Sequence, residues 1–178
     1  MEDFVISDTH AFHGRMLEPR GFATVEDMNR LMAERINAAV SRRDRLIHLG
    51  DFSFGNIANA LLFREMINCV NVVLVPGNHD ERFRDNPKFS GLFANGRKFR
   101  DILMHKIKGI RPVVFAHSPI EEWYSKHYGS VHLHGHCHRG CRELPNRYNC
   151  VAEKNDYTPL HLVTLVQKIG VDVPKLED

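Results

Sequence analysis

The sequence predicts an α/β fold, a layered sandwich of β-sheets with flanking helices, and three observations carry that reading. Short apolar runs rich in Val, Ile and Phe alternate with amphipathic stretches of helical period. The second half of the chain reads mostly as strand. No internal repeat, low-complexity segment or long linker divides the 178 residues, a length that suits one domain over residues 1–178 whose core needs no disulfide or metal staple.

In chain order, Phe4-Val5-Ile6 is the first strand. Thr24 to Val40 is a helix: Thr24 and Asp27 have capping-box spacing, and Val25, Met28, Met32, Ile36 and Val40 fall near one stripe. Leu46 to Leu49 is the second strand, and Asn56 to Asn68 is a second helix with Ile57, Leu61 and Phe63 among its apolar positions. Val70 to Val75 is nearly continuous in apolar character, as buried strands are, and Pro76-Gly77 ends it. From Glu81 to Gly96 the text turns polar, with turn signals at Asn86-Pro87, Ser90-Gly91 and Asn95-Gly96, so a loop over a site is expected there. Ile102 to Ile107 and Val113 to Ala116 form a hairpin-like pair about Lys108-Gly109. Ser130 to His134, Tyr148 to Val151 and a terminal strand Leu160 to Val166 follow.

Composition excludes several functions. Lys+Arg 24 against Asp+Glu 22 leaves no basic surplus for neutralising a nucleic-acid backbone, so no stable nucleic-acid complex is expected, although small nucleic-acid substrates fit. The apolar runs fall far short of the ~20 residues that span a bilayer, and Met1-Glu2-Asp3 is acidic where a signal peptide is basic. A cytoplasmic protein with its 4 cysteines reduced is expected. The oddity is 12 histidines, since histidine is the commonest metal ligand.

Strand ends are where the chemistry gathers. The first runs into Ser7-Asp8-Thr9-His10, the second into Gly50-Asp51, the third into Gly77-Asn78-His79-Asp80, the Val113 strand into His117, and the next into Gly135-His136-Cys137-His138. Residues i and i+2 of an extended chain point to one side, so Asp8 with His10, and His136 with His138, each present two ligands to one point. Glycine before Asp51, Asn78 and His136 permits close backbone approach. Any one cluster reads equally well as a cap or a satisfied polar group. The ordered set supplies the oxygen and imidazole ligands that two divalent ions about 3.5–4 Å apart require, with one bridging carboxylate.

This series resembles the motif set of the calcineurin-like metallophosphoesterases, in the expected order over most of the chain, and Gly50-Asp51-Phe52-Ser53-Phe54-Gly55 and His132-Leu133-His134-Gly135-His136 are similar to its small, capless bacterial and phage members. The resemblance implies a four-layer αββα sandwich with a dinuclear site at the strand ends. It assigns Asp8, His10 and His138 to one metal and Asn78, His117 and His136 to the other, with Asp51 as the bridge. It also implies attack by a metal-bridging hydroxide, Asn78 and His79 at the scissile phosphate, and His79 as proton donor to the leaving group. Asp80 then either orients the His79 imidazole or is a surface carboxylate. Manganese is the expected metal, with iron, zinc, cobalt or nickel as alternatives.

Other residues have weaker context. His13 is a candidate substrate or supporting contact, or an exposed loop histidine. His132 and His134 share one face of their strand, as half-buried neighbours or supports of the ligands. Cys137 and Cys141 beside the histidines raise the alternative of a single structural zinc, although their spacing matches no paired-cysteine pattern. Phe52, Phe54, Trp123 and Tyr124 either stack on a base or pack the core, and Arg82, Arg84, Lys88, Arg97 and Lys98 either hold an anion or are solvated. Similar small members read Asn-Val-Gly-Val-Asp where this chain has Asn149-Cys150-Val151-Ala152-Glu153. The function expected is hydrolysis of phosphate esters, diesters of nucleotide or nucleic-acid type above monoesters, by a monomer or homodimer. A phosphomonoesterase or protein phosphatase and a non-catalytic binding module of the same fold are the alternatives.

Overall fold

The structure is a computed structural model and describes residues 1–106 and 111–170. The predicted turn at Lys108-Gly109 and the end of the Ile102 strand lie outside them. Two four-stranded mixed sheets face one another. The first has the order β3-β2-β1-β8, built from β1 (Asp3–Ile6), β2 (Arg45–His48), β3 (Asn71–Leu74) and β8 (Leu160–His161); β1, β2 and β3 are parallel and β8 is antiparallel to β1. The second has the order β4-β5-β6-β7, from β4 (Ile102–His105), β5 (Val113–Ala116), β6 (Val131–His134) and β7 (Arg147–Asn149); only β4 is antiparallel.

Parallel strands end at one edge of their sheet, and here the two edges are stitched together. The amide of Ser7 donates to Cys150 O, the amide of Ala152 to Ser7 O, and the amide of Cys150 to His134 O. The residues after β7 thus bind both the end of β1 and the end of β6, which places the polar clusters of both sheets side by side.

Among the described residues five helices accompany the sheets: α1 (Leu17–Arg20), α2 (Val25–Ala39), α3 (Ile57–Glu65), α4 (Pro87–Ser90) and α5 (Leu162–Ile169). In α2, Thr24 accepts from the Asp27 amide at 3.1 Å, and Met28, Met32, Ala33 and Ile36 bury the predicted stripe against the outer face of the first sheet with Ala60 and Phe63 of α3. Val5, Ile47, Leu49, Val113, Phe115, Val131 and Leu133 fill the space between the sheets. Among the described residues no helix is long and apolar enough to cross a membrane.

Four expectations change. Helix α3 stops at Glu65 rather than Asn68, because Arg64 turns its guanidinium onto the carbonyls of Ile67, Cys69 and Leu92 and satisfies the chain after the helix without further turns. The terminal strand shrinks to Leu160–His161. His161 then caps α5, in which Leu162, Leu165, Val166 and Ile169 follow a helical period and enter the inter-sheet core. The Glu81 to Gly96 segment is not a loop over the site: it carries α4 and two short turns, and Phe89 and Phe93 are buried against Phe52 and Phe63. Finally, the outer face of the second sheet has no helical layer among the described residues. Residues 118–130 cover it with one short turn at Lys126–Tyr128, Trp123 packing on buried His132 and Ile120 donating to the His132 ring at 3.0 Å.

Candidate metal centre

Asp8, Asp51, Asn78, His117 and His136 follow within a few residues of the ends of β1, β2, β3, β5 and β6. The side chains form overlapping groups within ligand reach: Asp8, His10 and His138; Asp51, His117 and His136; and His10, Asp51 and His79. Asp51 joins them. Its Oδ2 lies 3.4 Å from His10 Nε2 and 3.5 Å from His117 Nε2, and His79 Nε2 stands 3.9 Å away. Asn78 Oδ1 is 3.0 Å from His117 Nε2, which places it in the second group.

The backbone makes this convergence in a way that strand alternation does not. Asp8, His10, Asp51 and His136 all have positive φ, between 46° and 68°. Each such turn costs on the order of 1–3 kcal/mol and persists only where surrounding contacts enforce it. Here the amides of Asp8, His10 and Ala11 donate to the carbonyls of Gly50, Asp51 and Phe52 and zip the two loops together. The i, i+2 expectation therefore holds for Asp8 and His10 by a different route and fails for His136 and His138, which go to opposite groups. Glycine is required by close approach: a Cβ on Gly77 would lie 2.3 Å from Asp51 Oδ1, and one on Gly135 would lie 2.2 Å from Asp8 Oδ2.

Hydrogen bonds set which ring nitrogens face inward. His117 Nδ1 is 2.7 Å from Leu49 O, a pure acceptor, so that nitrogen carries the proton and Nε2 offers a lone pair to the centre. That lone pair meets the Asn78 oxygen, acceptor against acceptor, an arrangement that a cation relieves. On the other side Asp8 Oδ2 accepts from Ser7 Oγ at 2.5 Å and the His136 amide at 2.8 Å, whereas buried Asp8 Oδ1 has no hydrogen-bond partner and faces His10 and His138 Nε2 at 3.5 and 3.3 Å. The donor set of imidazoles, carboxylates and one amide fits two divalent ions.

Charges follow from the same contacts. Burial pushes the Asp8 carboxyl up, but the His10 and His138 imidazoles that face it outweigh burial and hold the carboxyl well below its usual range. The facing Asp8 carboxylate and then the hydrogen bond to Glu153 raise His138 to about 9. Burial lowers His79, and it takes His13 down to about 4, with the neighbouring His10 and His79 adding to the effect. His13 lies flat on Phe54 at 3.7 Å beside His79, and Arg82 sits over the other aromatic contacts of that wall, 5.7 Å from the Phe54 ring centre. Arg84 instead pairs with Asp101 at 2.6 Å.

Asp80 requires a correction. Its carboxylate is buried and accepts from the amides of Asp51 (2.7 Å), Phe52 (3.1 Å) and Gly77 (2.9 Å), so both oxygens are spent on backbone and neither orients His79. Burial pushes it up to about 7 against the pull of those amides. It is a clamp between the loops after β2 and β3. His79 is held instead by its own amide, which donates to Asp51 Oδ1 at 2.9 Å.

Two residues beyond the motifs complete the centre. Glu153 Oε1 accepts from His138 Nδ1 and from Arg20 Nε, each at 2.9 Å, and the fully buried Arg20 side chain also donates to the carbonyls of Asp8 and Thr9 at 2.7 Å. Glu153 thereby fixes the His138 tautomer with Nε2 inward. Its signal in the sequence was the departure at Asn149 to Glu153; Arg20 had none.

No curated protein matches this sequence. A solved structure, the protein of unknown function AQ665 from Aquifex aeolicus, is similar with a TM-score of 0.71 at 23% identity, covering 94% of this chain and 99% of that one, which is a likeness of fold. The ligands now placed at the strand ends all lie inside residues 4–166, the stretch that matches the calcineurin-like phosphoesterase family, and the chain belongs to that family.

Proposed function

We propose that the protein is a metal-dependent phosphoesterase that prefers phosphodiesters of nucleotide or nucleic-acid type to monoesters. The observation that carries this reading is Asp51 Oδ2, which stands between two imidazole-bearing groups with His79 beside it at the exposed rim. Asp8, His10 and His138 would hold one ion, and Asn78, His117 and His136 the other, with Asp51 shared. Manganese suits this mixed nitrogen and oxygen set, with iron, zinc, cobalt or nickel as alternatives. When bound, two such dications acidify water and neutralise phosphoryl charge.

The chain's own residues do the rest. His79 holds a proton at Nε2 for the departing oxygen; its backbone is anchored on Asp51 and its ring is wedged between His10 and Phe54. Asn78 presents its amide at the same rim, and the flat His13–Phe54 wall beside His79 suits a planar substituent on the phosphate. The diester preference is supported by exposure: Asn78, His136 and His138 face solvent, and beyond Arg82 the Glu81 to Gly96 segment packs into the core around Phe89 and Phe93, which leaves room for a second ester group. Nucleotides are the favoured substrates, handled by a cytoplasmic monomer or homodimer without a lasting nucleic-acid complex.

Metal-reconstituted protein assayed on bis-nitrophenyl phosphate and nitrophenyl phosphate, with Asp51→Asn as the blank, tests both levels. A higher kcat/KM on the diester is expected. A strong monoester preference overturns the diesterase reading, and no hydrolysis above the blank overturns the phosphoesterase reading.

A further inference from the structure

We propose that His134, Cys137 and Cys141 form a third metal site, separate from the candidate dinuclear centre, that takes a thiophilic divalent ion such as zinc. Their ligand atoms all lie within 4.8 Å of one another, and His134 Nε2 is 3.9 Å from Cys141 Sγ. A tetrahedral zinc, with bonds of about 2.3 Å to sulfur and about 2.0 Å to nitrogen, sets such atoms roughly 3.5–3.8 Å apart, so a contraction of up to about an ångström closes the site.

Three features prepare the group. His134 Nδ1 lies 2.8 Å from Gly135 O, which can only accept, so the proton sits on Nδ1 and the Nε2 lone pair is left facing the thiols. The ring is buried on the outer face of the second sheet, on a strand rather than a mobile loop. The two cysteines, four positions apart, would stand about 13 Å apart in an extended chain. They are brought together because Gly140, at φ 89°, folds back and donates its amide to Cys137 O at 3.2 Å, while Asn149 Nδ2 pins the same carbonyl to β7 at 2.8 Å. The fourth position opens on a cavity of about 230 Å³ lined by His134, Cys141, Glu143 and Tyr148, so a water completes the shell.

Binding releases the two thiol protons to solvent, and two thiolates with one neutral imidazole then balance the dication. These ligands are softer than the carboxylates and amide of the dinuclear centre, which favours sorting of different ions to the two places. Cys137 lies between His136 and His138 in the chain, so the third ion would brace the loop that carries both.

Cobalt titration of the reduced, metal-stripped full chain tests this. One equivalent should produce a thiolate-to-cobalt charge-transfer band, which Cys141→Ser abolishes and Asp51→Asn leaves intact. Asp51→Asn removes ions from the dinuclear centre alone, so failure of that centre is distinguishable. Zinc should also protect Cys137 and Cys141 of the wild type from a thiol reagent, a reading independent of any variant's folding. Absence of the band, unprotected thiols with zinc bound, or a Cys137–Cys141 disulfide in place of metal binding overturns the proposal.

Discussion

The two halves of the centre use the same ligand chemistry on different supports. Around Asp8 the half is sealed at its base, although His138 itself faces solvent: Asp8 is 0% and His10 3% exposed, the Arg20 guanidinium is buried beneath the Asp8 and Thr9 carbonyls, and Glu153 locks His138 from behind. Around His117 the rim is open, with Asn78 and His136 exposed and held mainly by the loops that carry them. The sealed half therefore has its geometry enforced by a buried ionic network, and the open half, where His79 also stands, is where the proposed substrate would enter. Preorganisation and access are assigned to opposite sides of Asp51.

Four measurements break or sharpen that contrast. The largest effect belongs to Asp51→Asn, which removes the charge shared by both halves: ion content should fall for both and turnover drop on the order of 10³-fold or more, checked by elemental analysis beside the ester assay. Retention of both ions would remove Asp51 as the bridge. His79→Ala should spare both halves, keeping the ions while turnover falls roughly 10²–10⁴-fold on esters with poor leaving groups and least on nitrophenyl esters; equal losses on all esters would end its role as proton donor. Glu153→Gln should strike the sealed half alone and weaken one ion by about 10–100-fold, read by metal titration; an equal loss at both ions would erase the asymmetry.

The smallest effect concerns the seam between the loops after β1 and β2. Thr9 Oγ1 donates to Phe52 O at 2.7 Å, so buried His48 must donate from Nε2 to Thr9 at 3.0 Å, and its Nδ1 accepts the Gly50 amide at 3.2 Å. A second ring proton has no acceptor there, and burial takes His48 down to about 3 from 6.5. The unfolded chain then binds the proton first. The contribution is whole above pH 6.5 and is lost as pH falls towards 3, at roughly 1.4 kcal/mol per pH unit while only the unfolded state is protonated. Urea unfolding midpoints of His48→Gln should be lower at neutral pH and fall less steeply on acidification than those of the wild type. Parallel slopes would show that acid lability lies elsewhere.

Much of this was legible in the chain because buried strands and motif glycines carry local signals. The apolar runs located seven of the eight strands, and capping at Thr24 placed α2, since both depend on residues a few positions apart. Misreadings came where local pattern underdetermines the element. Leu160 to Val166 is apolar enough for a strand, and only packing of Leu162, Leu165 and Val166 between the sheets favours a helix. The polar text of Glu81 to Gly96 hid Phe89 and Phe93, whose burial outweighs the turn signals around them. Asp80 read as a partner of the histidine beside it or as a surface carboxylate because adjacency in sequence was the only distance available; in space its donors are backbone amides of Asp51 and Phe52 from another loop and of Gly77 from its own.

The sequence by itself determined the candidate ligand types and their order, Asp8, His10, Asp51, Asn78, His117, His136 and His138, because coordination chemistry resides in side-chain identity and strand ends are marked by composition. Their division into two groups, which the family resemblance implied, is produced physically by the folded chain. His10 meets His138 across 128 positions, Glu153 ties His138 to Arg20, and four ligand or flanking residues adopt positive φ that no pattern of residue types announces. The physical reason is that such backbone turns and buried ion pairs are unfavourable locally and exist only where distant segments, here the loops after β1, β2, β6 and β7, hold one another in place.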